Sequence, residues 1–141
     1  MTLANQPSGS PPSDPQLYAR SFADVYQEWY DDLDDPAVMV QAFRRQCAEG
    51  ASIAELGSGT GRLASPLHDA GFQVVALDAS FQMLGFAAPG PRPIAADMTA
   101  IPLASNSVDA ALIAYNTLLS LDSHEQQQRC FVEIARVIRP G

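Results

Sequence analysis

Three glycines at alternate positions, Gly57, Gly59 and Gly61, follow directly on a short apolar run, Ala51-Ser52-Ile53-Ala54-Glu55-Leu56. No other stretch restricts the fold of this chain as much. A strand entering such a turn must reverse tightly, and glycine supplies the backbone freedom and the empty Cβ position that this requires. The residues beyond it, Leu63, Ala64, Leu67 and Ala70, recur at helical spacing. Strand, glycine turn and helix together bring main-chain N–H groups up to a ligand. Glu55, two residues ahead of the first glycine, is placed to accept hydrogen bonds from a cationic or hydroxyl-bearing group. The plain alternative is a glycine-rich turn that binds nothing.

The rest of the chain repeats the alternation of strand and helix. Strand two reads as Gln73 to Leu77 and runs into Asp78, strand three as Ile94 to Ala96 after a Pro/Gly connection, and strand four as Val108 to Ala114. Strand four is almost wholly apolar, as a strand covered on both faces should be. A first helix is expected from Gln16, with Tyr18, Phe22, Val25, Tyr26, Trp29 and Leu33 at helical spacing. Asp35 then caps a second helix that has Pro36 at its first position and Val40, Phe43 and Cys47 on one face. The helix after the glycines either begins near Ser65, with Pro66 in its first turn, or is kinked there. Ser80 is the N-cap of the next one. Asp122 and Glu125, at capping-box spacing, open the last helix, whose buried stripe is Phe131, Ile134, Ala135 and Ile138. Such alternation specifies an α/β domain with a parallel sheet. Residues 1–15 read as a disordered tail, 16–50 as a helical segment and 51–141 as the α/β domain.

A dinucleotide site of the form G-x-G-x-x-G needs a glycine at position 62, and that residue is Arg62. Asp78 lies 21 residues beyond Gly57, at the end of the second strand. Doubly wound folds place a ribose-hydroxyl acceptor there. The acid supports a ligand containing adenosine without deciding which one, so an NAD(P)-dependent oxidoreductase stays as the alternative reading.

The run Glu55-Leu56-Gly57-Ser58-Gly59-Thr60-Gly61 resembles the glycine loop of class I S-adenosylmethionine-dependent methyltransferases. Asp78-Ala79-Ser80-Phe81-Gln82-Met83-Leu84, Asp97-Met98 and the closing Ile134-Ala135-Arg136-Val137-Ile138-Arg139-Pro140-Gly141 resemble further segments of that family. The resemblance implies a Rossmann-like, doubly wound, mostly parallel sheet of order 3-2-1-4, with S-adenosyl-L-methionine as cofactor. It implies that Glu55 and the loop at Gly57, Ser58, Gly59 and Gly61 hold the donor, and that Asp78 takes the ribose hydroxyls. Ala79, through its backbone, and Met83 would line the adenosine pocket. Asp97 would accept from the adenine amine, and the Met98 amide would meet a ring nitrogen. Tyr115 and Asn116, after strand four, would face the methionine portion or the acceptor. Tyr26 or Tyr30 would lie over the cofactor; Tyr26 is carried as the site residue. Singly, each has a plainer reading: Met83 as core, Asp97 as a loop acid capping its own turn, Tyr115 and Asn116 as a polar loop.

The chain departs from the family pattern by ending after four strands, so it reads as an incomplete version of the seven-stranded sheet, with strand four as an exposed apolar edge open to association. The net charge is −8, from 16 acids and 8 bases. That argues against nucleic acid or an anionic membrane as partner and favours a small-molecule acceptor. No apolar run is long enough to span a membrane, and Cys47 and Cys130 read as free thiols in a reducing cytoplasm. Asp31, Asp32, Asp34 and Asp35 read as a solvated turn and cap rather than a metal site. Methyl transfer from a sulfonium needs no nucleophilic triad, and neither His68 nor His124 is assigned a base role. A non-catalytic interaction module, completed by another chain, is the remaining alternative.

Overall fold

The computed structural model describes residues 35–87, 89–91 and 93–141. The tail, the first helix, and with them Tyr26 and Tyr30, lie outside the described residues. Four strands form one parallel sheet, as the alternation of elements predicts, and they take the order β3-β2-β1-β4 that the family resemblance implies. They are β1 (Ser52–Leu56), β2 (Gln73–Asp78), β3 (Pro93–Ala95) and β4 (Ala110–Ile113). Helices α1 (Pro36–Gln46), α2 (Ala64–Asp69), α3 (Phe81–Gly85) and α4 (His124–Val137) flank them, and a short 3₁₀ turn covers Thr117–Ser120.

Alternation along β1 sends Ile53 to one face and Ala54 and Leu56 to the other, all fully buried. The first face packs Ile53, Val74, Ala76 and Leu112 against Leu63 and Leu67, with Val40, Phe43 and Cys47 of the α1 region behind them. Phe43 meets Phe72 edge to face at 6.2 Å. The second face packs Ala54, Leu56 and Leu77 against Cys130 and Val137 of α4 and against Ile101 and Val108. Each fully buried Ile or Leu contributes about 1.5–3 kcal/mol, so the two faces of β1 anchor the domain.

Local signals placed most helix starts. Asp35 Oδ1 accepts from the Ala37 amide at 2.9 Å, with Pro36 at the first helical position. Ser80 accepts from the Met83 amide. Pro66 is the third residue of α2, where an amide has no intrahelical partner to lose, so the helix starts ahead of it without a kink.

Several details differ from expectation. β3 begins one residue early, at Pro93. The β4 ladder omits Val108, which instead bridges Ile138 in parallel, with the Arg139 amide donating to the Val108 carbonyl. The segment after α4 thus covers the start of the β4 edge. The cap of α4 is Ser123, not Asp122; its side chain accepts from the Gln126 amide, and Gln126 Oε1 accepts from the Asp122 amide. The box is shifted by one residue. Its buried stripe is correspondingly Cys130, Ile134, Val137 and Ile138, while Ala135 is exposed and Phe131 is 55% exposed.

Two side-chain staples hold loops to this frame. Arg136 donates to the Leu103 and Ile101 carbonyls and pairs with Glu133, which accepts from the Ile101 amide. At the amino-terminal edge of the sheet, Asp109 accepts from Ser52 and Arg139, and those bonds hold its carboxyl down at about 2.

Candidate functional site

Parallel strands end on one edge, and here the loops after β1, β2, β3 and β4 all emerge at the carboxyl ends of their strands. That edge collects Glu55, the glycine loop, Asp78, Asp97 and Tyr115. A cavity of about 370 Å³, lined by Cys47, Gly50, Ala51 and Asp109, lies at the opposite edge. It contains none of the candidate residues.

The glycine loop is shaped by its own hydrogen bonds. The Gly57 and Ser58 amides both donate to the Leu77 carbonyl, at 2.8 and 2.9 Å. The Gly59 amide donates to Asp78 Oδ2 at 2.8 Å, and the Gly61 amide to the Ser58 carbonyl at 2.9 Å. Each of the three glycine amides is thus engaged within the chain, and the glycines also supply conformation and room. Gly57 has φ +73, and a Cβ on it would fall 2.1 Å from Thr117 Cγ2. Gly59 has φ +55 and faces the Met83 methyl, 3.2 Å from where its Cβ would be.

Two acids sit under the loop. Glu55 is 3% exposed, and its Oε2 has no hydrogen-bond partner among the described residues. Burial, and after it the charge of Asp78, pushes its carboxyl up to about 8, against a hydrogen bond from the Ala64 amide. Asp78 is also raised by burial, while the Ser80 and Gly59 amides pull it back. Its Oδ1 accepts from Ser80 at 2.8 Å, so both carboxylate oxygens are oriented by backbone donors. Each oxygen has a second lone pair, so a ligand hydroxyl can still be accepted. Ser58 Oγ, Thr60 Oγ1 and Ser65 Oγ are likewise buried without a partner among the described residues. Four such atoms around one turn is a concentration that native interiors avoid unless something satisfies them.

The other predicted residues are less uniform. Ala79 lies exposed between Asp78 and the Ser80 cap, and Met83 is buried against the loop. Asp97 is exposed, and its Oδ1 caps its own turn, accepting from the Thr99 amide and hydroxyl at 2.7 and 2.8 Å. It lies two residues past Ala95, the register partner of Asp78, so the two acids close neighbouring strands. Met98 packs into the core on the α4 face. Tyr115 is 43% exposed in a left-handed backbone, φ +54, and Asn116 precedes the 3₁₀ turn at its N-cap position without a side-chain cap hydrogen bond. Thr117, Thr60 and Ser65 carry no site assignment from sequence. Thr60 and Ser65 could have been found from their place in the loop and at the helix start; Thr117 over Gly57 has no local signal.

A family model described as a methyltransferase domain matches residues 54–141. The chain belongs to that family. The methyltransferase domain is 34% identical over 138 residues to a demethylmenaquinone methyltransferase of Renibacterium salmoninarum, covering 90% of this chain and 56% of that protein. It is 32% identical over 137 residues to a malonyl-[acyl-carrier protein] O-methyltransferase of Enterobacter lignolyticus, covering 93% and 53%. It superposes on an S-adenosylmethionine-dependent methyltransferase of Thermotoga maritima with TM-score 0.68 at 26% identity, covering 88% and 56%. The chain thus spans about half the length of the curated relatives it matches. The strand order agrees with a Rossmann-like methyltransferase sheet. Among the described residues no helix is long and apolar enough to cross a membrane, and no group of three or more His, Cys, Asp or Glu could hold a metal.

Proposed function

We propose that this methyltransferase domain binds S-adenosylmethionine at the carboxyl edge of its sheet and serves methyl transfer to a small-molecule acceptor. The observation that carries the reading is the Asp78 carboxylate drawn onto the Gly59 amide, beside the buried, unpartnered Glu55 Oε2. The residues fit the cofactor: an acid poised for ribose hydroxyls, buried hydroxyls at Ser58, Thr60 and Ser65, and no Cβ at Gly59 to block approach. In this reading Glu55 faces the cationic portion, Asp78 orients the sugar, Met83 and Ala79 border the base, and Asp97 accepts from the adenine amine. When bound, the cofactor supplies an electrophilic methyl on a sulfonium, and the chain's contribution is to bind and orient. The names of the two relatives specify different acceptors, so acceptor choice varies within the family. The −8 charge supports a small molecule over nucleic acid. A cytoplasmic location belongs to the same reading and is supported by the free thiols of Cys47 and Cys130.

Isothermal calorimetry of the 141-residue chain with S-adenosylhomocysteine tests the reading. Binding with a dissociation constant between about 1 μM and 1 mM is expected, in the range common for enzyme ligands. Absence of both heat and thermal shift, on protein with intact far-UV dichroism, overturns it.

A further inference from the structure

Glu55 lies buried on the face of β1 that also carries Ile53. The helices on that face are α1 and α2, and their charged or titratable residues, Asp35, Arg44, Arg45, His68 and Asp69, are all exposed. On one side of β1, β4 brings no ionisable residue over Ala110–Ile113. On the other, β2 ends in Asp78, whose negative charge acts on Glu55. Arg62, on the loop itself, donates to the Tyr115 hydroxyl. The Ala64 amide gives Glu55 one hydrogen bond, and Oε2 has none among the described residues. A carboxylate in such a place is an uncompensated interior charge, and groups so placed keep their proton instead. Burial first, and the neighbouring acid second, push the Glu55 carboxyl up to about 8. Asp78 is the better seat for the one negative charge, because the Gly59 and Ser80 amides each donate to one of its oxygens at 2.8 Å. The proton held between the two acids therefore sits on Glu55.

We infer that Glu55 gives up this proton when the cofactor binds, so that binding at the glycine loop releases one proton to solvent. The inference rests on the cofactor reading above and adds a pH control to the same site. A positive group brought against Glu55 supplies the compensation that its protein neighbours do not, and the ionised form becomes the favoured one. The carboxyl O–H bond breaks, its electron pair stays on the carboxylate, and the proton passes to the buffer. The chain without ligand is protonated here below about 8, so a complex that needs the carboxylate weakens as pH falls. One proton limits the effect to about tenfold in affinity per pH unit.

Calorimetric titration of the chain at pH 7 in phosphate and in Tris reads the proton directly. A released proton adds the ionisation heat of the buffer, which is small for phosphate and large for Tris. Two ligands separate the two acids. S-adenosylhomocysteine carries an ammonium group at this pH; 5′-methylthioadenosine keeps the ribose that Asp78 would orient and carries no charge. The first should release about one proton per site and the second close to none. Affinity for the first should rise about five- to tenfold from pH 6 to pH 7, and Glu55→Gln should show neither the released proton nor this pH dependence. Equal heats in the two buffers, with S-adenosylhomocysteine bound, overturn the inference. A release as large with methylthioadenosine overturns it by assigning the proton to Asp78, and a release that persists in Glu55→Gln overturns it by assigning the proton elsewhere. Wild-type chain that binds neither ligand overturns the cofactor reading itself.

Discussion

The Gly59 amide meets Asp78 Oδ2 at 2.8 Å, joining the loop after β1 to the last residue of β2. One carboxylate thus shapes the loop and lies close enough to Glu55 to raise the cost of ionising it. The loop and the two acids form one electrostatic unit, because each is buried among the others rather than in water.

Removing the Asp78 charge should therefore be felt at Glu55. In Asp78→Asn the Glu55 carboxyl is expected to titrate lower than in the wild-type chain, since one of the two causes that raise it is gone. Carboxyl-detected NMR across pH 4 to 9 reads this directly. An unmoved Glu55 titration would show that the two acids do not sense one another.

Glu55 also makes stability depend on pH in an unusual direction for an acid. Its carboxyl holds its proton up to about 8 in the folded chain, against 4.5 as the ordinary value. The unfolded chain ionises first, so this group's contribution is whole below about 4.5 and is lost as pH rises toward about 8. Glu55→Gln lacks that dependence. Its stability advantage over wild type should grow between pH 5 and 8, reaching on the order of a few kcal/mol, and level off above. Urea unfolding at pH 5, 7 and 9 measures it; parallel curves for the two proteins would contradict the burial of this acid.

Gly57→Ala places a methyl 2.1 Å from Thr117 Cγ2 on a backbone with φ +73. Strain and overlap together should cost about 2–4 kcal/mol in urea unfolding. Adding Thr117→Ser, which removes Cγ2, should restore the overlap part and leave the backbone part. If the double variant is no more stable than the single, Thr117 does not lie over the turn.

Arg136→Met removes donors to the Ile101 and Leu103 carbonyls at the far side of α4. Amide exchange at Ile101 and Leu103 should quicken, while S-adenosylhomocysteine affinity stays within twofold, because the staple touches the α4 face and not the loop. Loss of affinity with unchanged exchange would place Arg136 in the site.

By itself the sequence determined what depends on near neighbours along the chain. The alternation of apolar runs and breaks set the four strands and their parallel arrangement, Asp35 and Ser80 declared their helices, and the glycine spacing with Arg62 at position 62 separated this loop from a dinucleotide turn. Each of these is a local matter of period or of a side chain reaching its own backbone. Tertiary structure alone decided where the loop amides went, because Leu77 and Asp78 arrive from another strand to accept them. It put Thr117 over Gly57 and Arg62 against Tyr115, contacts between segments more than fifty residues apart that no local pattern encodes. It also buried Cys130 rather than Phe131, since the angle at which α4 lies on the sheet, and not its apolar content, selects the face that loses water.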